Sequence, residues 1–525
     1  MLSTLIWFPV LSALGITLLP IPPHRLKLSA LILSGLVLVW TLGLSLQLDF
    51  TNSAFQLQEY VSWLPLLGLD YDLAVDGLSY PMLVLNSFLT WIAIYSSNEQ
   101  TNRPRFFYSL MLLVSGAVAG AFLAHNLLLF FLFYEIELIP FYLLVSIWGG
   151  EKRGYAATKF LLYTALSGAL ILSAFLGIVW LTDASSFAYT SLAGQSLSLG
   201  LQVLLLVILL IGFGIKVPLF PLHTWLPDTY VAASSPVAIL LGGVLAKLGA
   251  YGLLRFGFVL FPDAWALLSP GLATWATISV LYGAMVAIAQ KDIKRMVAYS
   301  SIGHMGYILL GAASLTALSM VGAVAQMVAH GLILAILFHL VGVVETKVGT
   351  RELDVLNGLM NPIRGLPLIS ALLVLGGMAS AGIPGLVGFV AEFLVFQGSY
   401  RVFPWQTLFC VVGSGLTAVY FVILLNRTCF GRLDNAIAYF PKVEWRERVP
   451  ALILVSAILF LGVQPTWLVR WSESTMTAMV ESASPIAMEE VAFQDLIHDV
   501  TDHWKGRSPS TIAELPAPPL ITDAP

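Results

Sequence analysis

The feature that most restricts the fold of this chain is a series of apolar stretches of 18 or more residues, which recur from Met1 to about Trp471. Stretches of that length match the hydrocarbon thickness of a bilayer and are typical of transmembrane helices. Only 10% of the 525 residues are charged, whereas roughly 25% are charged in soluble domains. The pattern therefore predicts an all-α polytopic membrane protein and excludes a soluble fold.

Turns and charged residues divide these stretches into fourteen predicted spans. The seventh, residues 200–231, and the twelfth, residues 366–399, are too long for one straight helix and contain proline and glycine. Because proline removes a backbone donor and clashes with the preceding turn, both helices are expected to break. The spans are 2–20, 28–47, 78–97, 106–124, 126–148, 157–181, 200–231, 237–260, 272–290, 296–314, 317–345, 366–399, 404–426 and 449–471.

The two interrupted spans lie five spans apart, and an odd offset inverts the orientation of the second copy in the membrane. The spacing therefore predicts two inverted five-helix repeats, in which Lys216 corresponds to Glu392 and Glu135 corresponds to His304. The predicted segments are helices 1–3 in 1–105, the first repeat in 106–260, the second repeat in 261–430, helix 14 in 431–475 and an acidic tail in 476–525.

The positions of lysine and arginine predict the orientation. Eighteen of the 25 basic residues lie in alternate loops, and five lie on or near the opposite side. The loop 48–77, which has five acidic residues and no basic ones, belongs to that opposite side. Because cytoplasmic loops collect basic residues, both termini are predicted to be lumenal. The eighteen residues are Arg25, Lys27, Arg103, Arg105, Lys152, Arg153, Lys159, Lys291, Lys294, Arg295, Lys347, Arg351, Arg364, Arg427, Arg432, Lys442, Arg446 and Arg448.

The C-terminal end of the chain differs in composition from the rest. From Glu481 to Pro525 it contains eight acidic residues, two basic residues and several prolines. Such a composition does not bury enough apolar surface to form a core, so a flexible end is predicted. This tail, together with the loops, is a candidate surface for an additional partner.

Ionisable residues also occur inside the predicted spans, where a charge costs about 2.5–3.5 kcal/mol. Any one of them could serve a structural hydrogen bond, but six on different spans favour proton transfer, since their proton affinities respond to small environmental changes. Glu137 follows Glu135 by two residues and therefore points about 200° away from it. The candidate proton pathway comprises Glu135, Lys216, Lys247, His304, His330 and Glu392.

Other kinds of site are not indicated. Cys410 and Cys429 are too few for an iron–sulfur cluster and are predicted to be buried apolar residues. The sequence has no His or Cys spacing typical of a metal site and no glycine-rich nucleotide motif, so no cofactor, metal or nucleic acid is expected. Arg255, close to a span end, is expected to extend its side chain towards water.

Five motifs in order carry a family resemblance that covers roughly residues 70–430. They resemble the antiporter-like subunits of complex I, in particular the type that includes NuoM of bacteria and the D subunit of the photosynthetic complex. The resemblance implies fourteen helices, with spans 4–8 and 9–13 as inverted repeats, and a proton path along a polar central axis. The motifs are FYEIELIPFYLLVSIWG, KVPLFPLHTWLPDTYVAASSPVAILLGGVLAKLGAYGLLRF, KDIKRMVAYSSIGHMGY, QMVAHGL and PGLVGFVAEF.

The resemblance also implies a role for each residue. Glu135 and Lys216 correspond to the buried acid–base pair of the family and Lys247 to its connecting lysine. His304 and His330 correspond to relays on the central axis, and Glu392 to the terminal acid.

The implied function is proton translocation in the membrane arm of an NAD(P)H/ferredoxin:plastoquinone oxidoreductase. The redox centres would lie in other chains, and the partners would be other membrane-arm subunits, lipids and protons. The alternative is a subunit of an Mrp-like cation/proton antiporter, which shares the helical core.

The sequence departs from the ordinary family pattern after PLHTWLPD. Where a His and then G-E-A are common, Thr229, Tyr230, Val231 and Ala232 follow instead. The acidic tail is a second departure. Together these features are similar to the divergent D-type subunits of cyanobacterial complexes devoted to CO2 uptake, which would place the chain in a thylakoid membrane.

Overall fold

The computed structural model describes residues 1–98, 101–192, 197–433 and 440–482. The predicted acidic tail therefore lies outside the described residues from residue 483 onwards. The described part of the chain is helical apart from one β-hairpin. Nine of its helical segments are long and apolar enough to cross a membrane, which establishes a multi-pass membrane protein.

The elements follow one another in three groups. The first group is α1 (Leu2–Leu18), α2 (Pro23–Gly43), β1 (Gln56–Leu64), β2 (Leu69–Val75), α3 (Ser79–Ser96), α4 (Pro104–Leu123), α5 (Leu127–Ile136) and α6 (Leu138–Trp148). The second group is α7 (Arg153–Leu181), α8 (Tyr189–Leu192), α9 (Leu199–Lys216), α10 (Trp225–Ala232), α11 (Ser235–Leu240) and α12 (Ala246–Gly252), with π-helical segments at Leu241–Leu245 and Leu253–Phe258. The third group is α13 (Pro262–Ile288), α14 (Ile293–Ala313), α15 (Ala317–Val348), α16 (Pro367–Ser380), α17 (Val387–Tyr400), α18 (Pro404–Thr428), α19 (Trp445–Val463), α20 (Thr466–Arg470) and α21 (Glu473–Glu481).

Both predicted helix breaks are present. The seventh predicted span divides into α9 and α10 around Pro218 and Pro221, and the twelfth divides into α16 and α17. In the second break Gly382 and Gly385 have φ angles of 68° and 91°, which disfavour any residue with a side chain. Helix occurs in all fourteen predicted spans, while their number as membrane crossings and the inverted repeat stay predictions.

The hairpin corrects the all-α prediction. Strands β1 and β2 pair antiparallel, with Tyr60 opposite Asp72 and Ser62 opposite Asp70. Gly68, at the end of the connecting turn, has a φ of 63°, and a Cβ there would lie 2.9 Å from the Ser185 carbonyl oxygen. The hairpin was missed because a two-stranded sheet on the outside of a helical bundle has a much weaker hydrophobic pattern than a membrane helix.

Two helical segments form the centre of the bundle, the composite Ser235–Phe258 and the continuous helix α15. The most apolar 18-residue window of Ser235–Phe258 is 100% buried, and that of α15 is 94% buried. Helix α15 packs against α14, α16, α17 and α11, so the two repeats predicted from the sequence meet along it. Polar side chains within these buried windows are therefore enclosed by the protein.

The ends of the bundle differ in charge. We call the end that carries Lys159, Arg295 and Arg351 the basic face, and the opposite end, with β1 and β2, the hairpin face. On the basic face Asp228 of α10 accepts from Lys159 Nζ at 2.8 Å and from Arg295 Nη1 at 3.2 Å. These two ion pairs fasten the short helix α10 to α7 and α14.

Candidate proton pathway

The buried acid–base pair of the first half is formed by Glu137 and Lys216. Lys216 Nζ lies 2.6 Å from Glu137 Oε1, and the two side chains are 1% and 0% exposed. The expected pairing of Lys216 with Glu135 was wrong, since Glu135 is only half-buried and its carboxylate lies against Gly168 of α7. The 200° between the two acids on one helix places Glu137 towards Lys216.

Aromatic packing holds Lys216 in this position. Its Nζ lies 4.1 Å from the centre of the Tyr134 ring, within the range of a cation–π contact. The Tyr134 hydroxyl is 2.9 Å from Ser167 Oγ, and Ser167 in turn donates to the Gly212 carbonyl on α9 at 2.7 Å. The lysine thus has one carboxylate partner and one aromatic face, both buried.

Lys247 is completely buried and contacts the second half of the chain. Its Nζ donates to the Gly242 carbonyl at 2.5 Å and lies 2.9 Å from His330 Nδ1 on α15. Gly242 belongs to the π-helical segment Leu241–Leu245, and single π-helical turns are frequent at functional sites. Lys247 and His330, both assigned to the candidate pathway, are therefore in direct contact.

The two histidines stand side by side. The ring centres of His304 and His330 are 5.2 Å apart. His304 Nε2 lies 2.9 Å from Ser380 Oγ at the end of α16, and its Nδ1 lies 3.2 Å from Gln326 Nε2. The Nε2 of His330 has no hydrogen-bond partner among the described residues.

Glu392 forms the far end of the group. Its Oε1 lies 3.7 Å from His304 Nδ1, and its Oε2 accepts from Ser414 Oγ on α18 at 2.7 Å. The residue is 4% exposed and lies next to the second break, where a Cβ on Gly382 would come within 2.7 Å of Oε2. The acid is thus buried, with one oxygen directed to the histidine and the other to a half-buried serine.

Four of the six predicted residues are neighbours, Lys216 pairs with Glu137, and Glu135 lies apart from both groups. Lys247, His330, His304 and Glu392 form one continuous row of neighbours, while Lys216 and Glu137 form a separate pair. The charged residue beside the helix break has the opposite sign in the two halves of the chain. The broken helix carries the base, Lys216, in the first half and the acid, Glu392, in the second half.

Three residues of the site were missed by the sequence reasoning. Glu137 had no role assigned, and Gln326 and Ser414 were not considered. For two of them the spacing along the helix was informative. Glu137 follows Tyr134 by three positions, and Gln326 precedes His330 by four. Residues three or four positions apart lie on the same face of a helix. Nothing in the sequence indicates that Ser414 contacts Glu392.

Arg255 does not extend towards water, as had been expected. It is 3% exposed, its Nη2 donates to Asp76 Oδ2 at 2.6 Å, and its guanidinium lies 4.9 Å from the centre of the Phe55 ring. A buried arginine needs such a partner because an unpaired charge is costly. The pair ties the second π-helical segment to the chain just after the hairpin.

The two cysteines, Cys410 and Cys429, are free thiols and completely buried, which confirms the prediction made for them. In the part of the chain that the structure describes, no group of three or more His, Cys, Asp or Glu residues could hold a metal ion.

Residues 124–417 match a protein family described as NADH:quinone oxidoreductase/Mrp antiporter, transmembrane. The chain belongs to this antiporter family. A relative from a Synechococcus species, named NAD(P)H-quinone oxidoreductase chain 4 1, is 38% identical, and the alignment covers 94% of this chain and 96% of the relative. The predicted resemblance to the antiporter-like subunits of complex I is thereby confirmed.

Solved structures agree with this membership in the antiporter family. A chain of respiratory complex I from Thermus thermophilus with bound NADH is 29% identical and has a TM-score of 0.84, covering 92% of this chain and 100% of that one. A chain of the Mrp complex from a Dietzia species has a TM-score of 0.82 at 21% identity, covering 93% and 98%, and shares the fold.

Proposed function

We propose that this chain is a proton-translocating subunit in the membrane arm of an NAD(P)H/ferredoxin:plastoquinone oxidoreductase, whose redox centres lie in other chains. The observation that carries the proposal is the row of Lys247, His330, His304 and Glu392. Neighbouring atoms of the row are 2.9 Å apart at one end and 3.7 Å apart at the other, and between them the centres of the two imidazole rings are 5.2 Å apart. Groups that bind and release protons at such distances can pass them on directly or through one water.

The pair of Glu137 and Lys216 provides the switch in this proposal. Two unit charges 4 Å apart attract each other with about 4 kcal/mol at an effective dielectric constant of 20. A charge change in an adjacent subunit that draws the Glu137 carboxylate away removes this attraction, and Lys216 then releases its proton.

The contacts between neighbouring residues of the row support a stepwise transfer of protons along it. Lys247 receives the proton and donates it to Nδ1 of His330, which it already contacts. From His330 the proton passes to His304 and then from Nδ1 of His304 to Oε1 of Glu392. Ser414 stabilises the ionised carboxylate by donating to its other oxygen, so Glu392 can receive a proton and release it again.

Purification of the native complex, followed by reconstitution into liposomes, tests this function. The chain is expected to co-purify with quinone-reductase subunits, and Lys247→Ala is expected to abolish its share of proton uptake while electron transfer continues. Lys291→Ala, at an exposed lysine of the basic face, is the matched control and should pump normally. Normal pumping by Lys247→Ala contradicts the proposal.

The alternative function predicts a different result in the same purification and reconstitution experiment. An Mrp-like antiporter subunit would purify without quinone-reductase subunits and would exchange Na+ for protons in vesicles without any electron donor. The shared fold with the Mrp chain at 21% identity makes this comparison necessary.

We further propose that the basic face is cytoplasmic, that both termini are in the lumen of a cyanobacterial thylakoid, and that the acidic tail binds an additional partner. The departures at Thr229, Tyr230, Val231 and Ala232 support a complex that serves CO2 uptake. Deletion of the gene should then slow growth at limiting CO2 and leave growth at high CO2 unchanged. Equal growth defects at both CO2 levels contradict this assignment.

A further inference from the structure

Lys216 and Lys247 share no hydrogen bond in the described residues, although the proposed proton path must cross between them. The short helix α10 contacts the surroundings of both. We propose that Trp225 and Tyr230 of α10 are positioning residues that hold Lys216 and Lys247 at a fixed separation and thereby control proton transfer between them. This inference rests on the proposed function of the two lysines.

Trp225 fixes the end of the helix that carries Lys216. Its Nε1 donates at 2.8 Å to the carbonyl of Ile215, the residue directly before Lys216. The last four carbonyls of a helix have no partner within that helix, and Ile215 is one of them in α9. Trp225 is completely buried, so its indole provides this carbonyl with a donor that water does not replace.

Tyr230 fixes the segment that holds Lys247. Its hydroxyl donates at 3.1 Å to the carbonyl of Leu241, the first residue of the π-helical segment. The next carbonyl, that of Gly242, is the one that accepts from Lys247 Nζ. The Tyr230 ring also lies against Gly242, where an added Cβ would be 3.3 Å from its Cε2 atom. A completely buried tyrosine thus supports the backbone acceptor of the lysine.

Trp225 and Tyr230 both act through the short helix α10. Their ring centres are 6.3 Å apart in an edge-to-face arrangement. The helix between them is fastened to α7 and α14 by the ion pairs of Asp228. Gly249 in addition lets α12 approach α9 closely, because a Cβ at that position would lie 3.0 Å from Cβ of Lys216. Both α10 and this close approach therefore limit the separation of the two lysine-bearing helices.

Transfer rates depend steeply on such a separation, since small displacements of reacting groups cost large factors in rate. Removing the Tyr230 hydroxyl takes away one of the two donors to the Leu241 carbonyl, which then keeps only the backbone N–H of Ala246, and loosens the π-helical segment. The loss of one neutral hydrogen bond corresponds to a change of roughly two- to tenfold. The step between Lys216 and Lys247 is expected to slow by a factor of that order.

The test uses the complete complex in liposomes and two variants with matched controls. Tyr230→Phe is compared with Tyr80→Phe, because Tyr80 is equally buried and also donates to a backbone carbonyl, that of Thr41, at 3.3 Å. Trp225→Phe is compared with Trp265→Phe, a buried indole that donates to the Ala312 carbonyl at 3.2 Å. Assembly, electron transfer, protons pumped per electron and the H2O/D2O rate ratio of pumping are measured.

Tyr230→Phe and Trp225→Phe are expected to assemble and transfer electrons normally, with pumping reduced by roughly two- to tenfold and an increased solvent isotope effect. In the double variant, pumping should fall by a factor much smaller than the product of the two single-variant factors, since both residues act through one helix. Pumping and isotope effects equal to those of the control variants overturn the proposal. Reduced assembly with normal pumping per assembled complex also overturns it, because the residues are then only structural.

The Lys247→Ala variant distinguishes a failure of the proposed function from a failure of the positioning role of Trp225 and Tyr230. If it pumps normally, the proposed function of Lys247 fails and the positioning role fails with it. If it does not pump while Tyr230→Phe pumps like Tyr80→Phe, the positioning role alone is refuted.

Discussion

Lys216 forms its buried ion pair with Glu137, at 2.6 Å, and not with Glu135, two residues earlier on the same helix. The two acids face different surroundings, since Glu137 is enclosed and Glu135 lies at the side of the bundle. Neutralising them one at a time therefore separates the contribution of the pair from that of the outer acid.

Glu137→Gln is expected to reduce proton pumping strongly and to lower the stability of the assembled subunit, because it leaves Lys216 as a buried charge without a counter-ion. Breaking one side of such a pair typically costs about 3–5 kcal/mol. Glu135→Gln is the matched control and should retain assembly and most of the pumping. Dye-based pumping assays and thermal stability of the purified complex measure both, and equal effects of the two substitutions contradict the assignment.

Lys216→Arg should preserve the ion pair and assembly but abolish the contribution of this subunit to pumping. The guanidinium of arginine does not release its proton in the accessible pH range, so it can attract Glu137 without carrying a proton onwards. Protons per electron in liposomes measure the effect. Pumping at the native level by this variant shows that Lys216 is not a carrier.

Glu392→Gln is expected to stop proton release at the end of the row while the complex remains assembled. The amide keeps the size of the side chain and its hydrogen bond with Ser414, but it cannot ionise. Ser414→Ala removes only the 2.7 Å hydrogen bond and should reduce pumping by roughly two- to tenfold. Normal release by Glu392→Gln excludes a proton-carrying role, and loss of the complex would indicate a structural one.

The hairpin face should loosen in acid because of Asp72. Burial alone would raise the pKa of Asp72, but hydrogen bonds from His125 at 3.0 Å and from Gln58 at 2.9 Å outweigh it and hold that pKa below its usual value of 3.8. The stabilisation is therefore complete above about pH 4 and is lost as the pH falls through the lowered pKa. Hydrogen exchange of residues 56–75 should accelerate in that range.

Asp72→Asn tests the origin of this acid effect. The variant should exchange faster at pH 7 and show little further change in acid, since its side chain cannot be protonated. Identical exchange of the native chain and the variant at pH 7 would mean that the carboxylate does not hold the hairpin.

Cysteine labelling can determine the orientation, because both native cysteines are completely buried and give little background. We expect Lys291→Cys to be labelled from the cytoplasmic side and Tyr60→Cys, at a residue that is 60% exposed, from the lumenal side. Labelling of Tyr60→Cys from the cytoplasm reverses the topology.

Much of the bundle could be predicted from the sequence because membrane helices have a strong and long hydrophobic signal. The breaks after Lys216 and before Val387 were predictable for the same reason, as proline and glycine interrupt that signal. The hairpin was not predictable in this way, since its strand β1 is mostly exposed and its partner strand is only seven residues long.

The candidate site was predicted in part. Buried ionisable residues on different spans predicted that Lys247, His330, His304 and Glu392 belong to one pathway, but the sequence does not contain the distances between helices. The choice between Glu135 and Glu137 and the burial of Arg255 depend on which partner each side chain meets. Such contacts, between Arg255 and Asp76 for example, join residues 179 positions apart and have no local signal.

The first helix break carries a base, Lys216, and the second carries an acid, Glu392, and this difference bears on the direction of proton transfer. A cationic group ends α9, where the helix dipole also favours positive charge, and an anionic group lies early in α17. Along the proposed pathway the first break therefore holds a proton donor and the second a carboxylate that attracts protons. A proton released at Lys216 is attracted towards the Glu392 carboxylate, so this arrangement favours transfer from the first break to the second over the reverse.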